Sequence, residues 1–144
     1  KVYRQIIDKY LSNPDEYSYE DKWMNEIKKV SHRDFTTGFY FGKPGPDEQR
    51  YNTSKYIQLY DFAGLIVNYN TKDGLATIEQ KNRIFIGDEV EIFGPKGDFF
   101  RQKINLMRND KGEEIDVAPH SGQIIKIKME KPVQSWYIMR RPKK

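Results

Sequence analysis

The sequence predicts a mainly β protein, a small antiparallel β-barrel preceded by two short connector helices. Before residue 31, apolar residues recur at spacings of three and four, the period of a helix face. From there to about residue 139, short runs rich in aromatic and β-branched residues are separated by Gly, Pro and Asp-Gly, the punctuation of antiparallel strands. Gly64 inside one run, and Gly87 and Gly122 just before others, suit the corners a small barrel must turn. The expected organisation is a helical connector over 1–30, a barrel over 31–139 and a basic tail over 140–144.

In the connector, Val2, Tyr3, Ile6, Ile7, Tyr10 and Leu11 make one apolar helix face. Asn13-Pro14-Asp15-Glu16 stops that helix and offers a cap, a Pro and acids for a further turn. Ser18 with Asp21 resembles a capping box, and Trp23, Met24, Ile27 and Val30 continue at helical spacing to an end near Val30. Core packing is the expected role of Trp23 and Met24.

Residues 31–42 (SHRDFTTGFYFG) read as the first strand of the barrel. Alternation puts Phe35, Thr37, Phe39 and Phe41 on one face and Asp34, Thr36, Gly38 and Tyr40 on the other. Phe35, Phe39 and Phe41 are thus expected as core anchors. A loop follows from Lys43-Pro44-Gly45-Pro46 to about Lys55. A long strand from Tyr56 to Asn70 with a bend at Gly64 turns at Thr71-Lys72-Asp73-Gly74 into Leu75 to Glu79. Later strands are expected at Ile84 to Ile86, at Glu89 to Ile92 with Val90 and Ile92 inward, and at Phe100 to Leu106. Asn109-Asp110-Lys111-Gly112 turns into Glu113 to Val117, and strands follow at Ile124 to Met129 and at Ser135 to Met139.

Composition narrows the function classes. The 144 residues are 37% hydrophobic, 32% charged and 14% aromatic, too aromatic for a disordered chain. Absence of Cys excludes disulfides, thiolate metal sites, cysteine nucleophiles and cysteine-ligated clusters within these residues. No apolar run approaches the ~20 residues that span a bilayer, and no signal peptide is present, so a soluble cytoplasmic location without membrane partners is expected. The start at Lys1, without Met, suggests a piece of a longer protein. Net charge is +4, yet the residues from Val117 onward carry seven Lys or Arg against Glu130 alone. Such a segment either meets phosphates or is a solvated strand face with a basic tail.

No catalytic constellation emerges. His32 and His120 each adjoin a Ser, but sequence adjacency does not make a catalytic pair, and no histidine spacing supports a metal site. Gly94-Pro95-Lys96-Gly97 lacks the form of a phosphate loop. Glu89 and Glu91, two apart on one strand, read as a solvent face, as do Lys126 and Lys128. His32-Arg33-Asp34 is the one polar cluster inside an aromatic run. Arg33 suits a carboxylate or phosphate and an exposed Tyr40 suits stacking, while an internal network fixing the start of the strand explains the same residues.

The run from Val30 through Gly42 closely resembles the signature at the start of the C-terminal domain of peptidase family U32, the collagenase-like proteins. Asn82, Phe85, Gly87-Asp88, Val90-Glu91 and Gly94-Pro95 resemble the same family's barrel, which is also similar to the second domain of translation elongation factors. The resemblance implies a parent protein whose N-terminal catalytic domain would be the partner of this one, with an iron–sulfur cluster held there by cysteines in several members. One branch of the family is associated with oxygen-independent hydroxylation of a tRNA uridine, others with peptidase activity. The expected role is therefore a non-catalytic accessory domain that binds or orients a macromolecular substrate, RNA preferred. His32, Arg33, Tyr40, Lys126, Lys128, Arg140, Arg141, Lys143 and Lys144 are the candidate contacts. The alternatives are an accessory domain presenting protein substrate through a strand edge or aromatic groove, and a structural lid. No catalytic, cofactor or metal residue is assigned within this chain.

Overall fold

A computed structural model describes residues 1–46, 56–95 and 99–143. The chain divides into two compact units, Val2–Leu59 and Tyr60–Lys144, with Lys1 grouped with the second.

The first unit contains α1 (Val2–Ser12), a 3-10 turn (Pro14–Glu16) and α2 (Asp21–Ile27). The 3-10 turn and α2 start without a side-chain cap: Asn13 makes no capping bond to the turn, and Glu20, not Ser18, stands at the N-cap of α2. An aromatic cluster holds the unit together. Trp23 stacks on Tyr17 with ring centroids 6.1 Å apart, Tyr19 meets Trp23 edge-on, and Tyr10 meets Tyr17 edge-on. Lys9 and Lys22 lie over the Trp23 ring at 5.3 and 5.8 Å. Trp23 is buried as expected, whereas α1 has no buried residue.

Residues 31–42 are not a strand. Among the described residues their pairing with another segment is a single antiparallel bridge between His32 and Ile57, after which the chain runs irregularly into turns at 38–41. Phe35, Phe39 and Phe41, expected in the core, are exposed. Alternating aromatics specify a strand only where a neighbouring strand offers a ladder, and here the described chain offers one bridge.

The second unit is mainly β. Strands β1 (Tyr60–Asn70), β2 (Leu75–Gln80), β4 (Glu89–Phe93), β5 (Phe99–Lys103), β6 (Met107–Arg108), β8 (Ile124–Lys128) and β9 (Ile138–Pro142) form one curled antiparallel sheet in the order β5-β4-β9-β1-β2-β8-β6. β3 (Ile84–Phe85) pairs separately with β7 (Val117–Ala118). The hairpin at 71–74 joins β1 to β2 as expected, and the β1–β9 register slips between Phe62 and Gly64, at the expected bend. Gly64 is required there, because a Cβ would lie 2.6 Å from Ile78 Cγ2 and 3.0 Å from the Glu79 carbonyl oxygen.

The concave side of the sheet is the core. Ile66, Ile78, Ile92, Ile125, Ile127 and Met139 are fully buried, each adding roughly 1.5–3 kcal/mol by leaving water. The sheet ends at β5 and β6, and a side chain closes part of the gap between β5 and β8. Gln102 of β5 donates from Nε2 to the Lys128 carbonyl at 2.8 Å and accepts from the Glu130 amide at 3.1 Å, imitating a ladder rung. Gln80 similarly ties β2 to β7 through the Ala118 carbonyl at 2.5 Å.

Candidate functional site

In the first unit, the His32 backbone is fixed by its bridge to Ile57, with hydrogen bonds of 3.0 and 2.7 Å. Its Nδ1 lies 2.6 Å from the Arg33 carbonyl oxygen, which places the ring proton on Nδ1, and the ring stacks on Phe35 at 4.5 Å. Nε2 is left buried, with no hydrogen-bond partner among the described residues. His32 lines a cleft of about 410 Å³ with Met24, Lys28, Asp34, Phe35, Ile57 and Leu59. Arg33 is turned to Tyr56, with its guanidinium 5.0 Å from the ring centroid and Nη2 3.5 Å from the hydroxyl. Tyr40 is solvent-exposed and meets Phe41 edge-on.

The basic candidates of the second unit fare unequally. Arg140 and Arg141 are not a tail, since both belong to β9. Arg140 is buried: its Nε and Nη2 each lie 2.8 Å from Glu91 Oε2, and its guanidinium lies over Phe93 and Tyr60. On the other side, Arg101 Nε and Nη2 meet Glu91 Oε1 at 2.9 and 2.7 Å. Register explains the triplet, because Glu91 faces Arg101 across β4–β5 and Arg140 across β4–β9. The hydrogen bond to Glu91, reinforced by its charge, holds the Arg101 guanidinium above its ordinary range. Glu91 is thus a buried counterion, contrary to its reading as part of a solvent face. Arg141 is engaged likewise, with Nη1 2.6 Å from Asp88 Oδ2 and Nη2 3.4 Å from Asp61.

Lys126 and Lys128 do lie on the outer face of β8, two residues apart. Cross-strand pairing sets Asn68, Thr77, Lys126 and Arg108 in one row across β1, β2, β8 and β6. Arg108 is paired with Glu114 at 3.0 Å, and Lys128 Nζ donates to the Asp73 carbonyl. Lys143 is exposed, and Lys144 lies outside the described residues.

Sequence reasoning passed over Trp136. Its φ is +73°, and it is the single non-glycine residue with positive φ among the described residues. The residue is 75% exposed. The conformation is imposed by its surroundings: the Trp136 amide donates to Ile66 O at 2.8 Å, Ile66 donates to Tyr137 O at 2.9 Å, and Ser135 Oγ donates to Val67 O at 2.7 Å. A bulky residue in that region costs of order 1–3 kcal/mol. No sequence signal marks a positive φ at a Trp, and the strand expected from Ser135 begins only at Ile138, so Ser135 and Trp136 form a turn ahead of it.

The family model for the peptidase family U32 C-terminal domain matches residues 58–140. The chain belongs to peptidase family U32. A second model, that of peptidase family U32 itself, matches residues 1–50. This U32 chain is 37% identical over 142 residues to tRNA hydroxylation protein P1 of Bacillus subtilis, covering 99% of this chain and 34% of that protein. It is 26% identical over 127 residues to a collagenase of Porphyromonas gingivalis, covering 81% of this chain and 35% of that one. The crystallised C-terminal domain of a Geobacillus thermoleovorans U32 protein aligns with a TM-score of 0.55 and 41% identity, covering 56% of this chain and 99% of that domain. The chain spans about a third of the length of these curated relatives.

The residues do not fit an iron–sulfur cluster of the kind the family resemblance implies, since the chain has no cysteine to supply a thiolate. Among the described residues, no helix is long and apolar enough to cross a membrane.

Proposed function

We propose that the β unit of this U32 chain binds RNA for a catalytic domain elsewhere in the parent protein, through Trp136 and the outer face of β8. The observation that carries the reading is Trp136, which has a strained backbone, is largely exposed and stands outside the buried core. An exposed indole suits stacking on an unpaired base, and Lys126 and Lys128 suit phosphate contacts. The name of the Bacillus subtilis relative adds support for a tRNA. With Arg140 and Arg141 committed to internal carboxylates, Lys126, Lys128 and Lys143 carry the electrostatic part among the described candidates. His32, Arg33 and Tyr40 are given no RNA contact in this reading.

The test is a tRNA titration of the chain at 50 and 200 mM salt. Affinity should fall steeply with salt. Trp136→Gly should weaken binding by roughly 5- to 150-fold, the range for loss of one base–aromatic stack, while leaving the melting temperature equal or higher because strain is relieved. Lys126→Glu should weaken binding and flatten the salt dependence. Absence of binding at 50 mM salt would sink the proposal. The collagenase relative favours a second reading, in which gelatin rather than tRNA binds in the same titration.

A further inference from the structure

We infer that the aromatic turn at 38–41, together with the exposed face of α1, is a packing surface for the remainder of the U32 domain in the parent protein. The inference rests on the chain being the C-terminal part of a longer U32 protein.

The turn is ordered by its own hydrogen bonds. Gly38 N donates to Thr36 Oγ1 at 3.2 Å, Tyr40 N to Thr37 O at 3.1 Å and Gly42 N to Phe39 O at 3.3 Å. Gly38 at φ +53° and Gly42 at φ +145° supply the backbone angles that reverse the chain at both ends. The product is three consecutive aromatics held in water, with Phe39, Tyr40 and Phe41 77%, 84% and 81% exposed. In α1, Tyr3, Ile7 and Leu11 are exposed at four-residue intervals, so this helix also carries an apolar stripe without cover. Large exposed apolar residues in such clusters, three in a row in the turn and one helix stripe in α1, mark interaction surfaces in a folded protein.

Three observations choose the occupant. The model for the U32 family matches 1–50 while that for the C-terminal domain begins at 58, and the compact units divide in the same place, at 59/60. The first unit is therefore the end of another domain and not the beginning of the β domain. The chain also spans only about a third of its curated relatives, so the rest of that domain belongs to chain outside this structure. Finally, residues 35–42 carry no charge, which suits a dry protein interface and not a phosphate backbone.

Hydrogen exchange read by mass spectrometry on peptides spanning 35–42 tests this. The comparison is between the 144-residue chain and the intact U32 protein, each with and without tRNA and at two protein concentrations. Exchange at least tenfold slower in the intact protein, without tRNA and at both concentrations, is the expected result, with peptides from β1 as the internal control. Equal rates in both proteins would overturn the inference. Protection that needs tRNA would overturn it in favour of an RNA surface, and protection that appears only at high concentration would do so in favour of a second copy. The salt-dependent titration above reads the β unit independently, so either idea fails without the other.

Discussion

The two units use similar aromatic and aliphatic residues to opposite ends. Every member of the buried apolar cluster lies at Ala63 or beyond, while Trp23 is the one buried hydrophobic residue of the Val2–Leu59 unit among the described residues. In the β unit each strand finds a neighbour, so alternation becomes an inside and an outside. In 31–42 the alternation is just as regular, but with one bridge to Ile57 it sorts nothing. Hydrophobic pattern thus proposes a face, and pairing partners decide whether that face is buried. A unit with its partners inside the chain should be sensitive to internal substitutions, and a unit whose partners lie elsewhere should not.

The largest effect that would sharpen this contrast is expected from Glu91→Ala. It leaves Arg140, buried against Tyr60 and Phe93, without its counterion, which costs about 3–5 kcal/mol for a buried pair broken on one side. Denaturant unfolding followed by far-ultraviolet circular dichroism measures it. On the same scale Phe39→Ser should move the curve by less than ~0.5 kcal/mol, as surface substitutions do. Equal effects would break the contrast. The two tryptophans allow the units to be followed apart, since in a Trp136→Phe background the fluorescence reports Trp23 alone. Its transition should not shift with Glu91→Ala.

A smaller effect is expected from Gly94→Ala. A Cβ there would overlap Cε1 and Cζ of the Tyr137 ring, so the ring, itself buried, must move. Overpacking of this kind costs about 1–3 kcal/mol. Gly94→Ala combined with Tyr137→Leu should recover most of the loss, because the obstructing ring is then gone. If the double variant is no better than the single, the cost arises from the backbone at Gly94 and not from the contact.

These residues also mark how much could be read from the sequence. The β1–β2 hairpin, the bend at Gly64 and the inward Val90 and Ile92 of β4 followed from period and turn chemistry, which are local properties. The burial of Glu91 did not, because it depends on two arginines that only the register of β4 between β5 and β9 brings opposite it. The same register removed Arg140 from the candidate RNA contacts. Trp136 escaped because a positive φ there is imposed by hydrogen bonds to Ile66, about seventy residues earlier in the chain. The 31–42 strand was misread because alternation is a local signal, while a strand needs a ladder and the described residues offer one bridge, from His32 to Ile57.

The smallest effect concerns the helical unit, where Glu20 receives Lys22 and Lys9. Hydrogen bonds from Lys22 first and Lys9 second hold its carboxyl below the usual 4.5, outweighing desolvation. A carboxyl lowered on folding adds stability that is present above its unfolded pKa and disappears as pH falls through the folded value. The stability difference between wild type and Glu20→Gln should therefore be largest above pH 4.5 and shrink below it, read as the Trp23 fluorescence transition in the Trp136→Phe background. Since Glu20 is only partly buried and both lysines reach it at the surface, 0.5 M salt should remove most of the difference. A difference that grows on acidification would reverse the sign and show that the lysines do not hold Glu20 in its charged form. One that ignores salt would mean that Glu20 joins α1 to α2 by packing its methylene groups and not by charge.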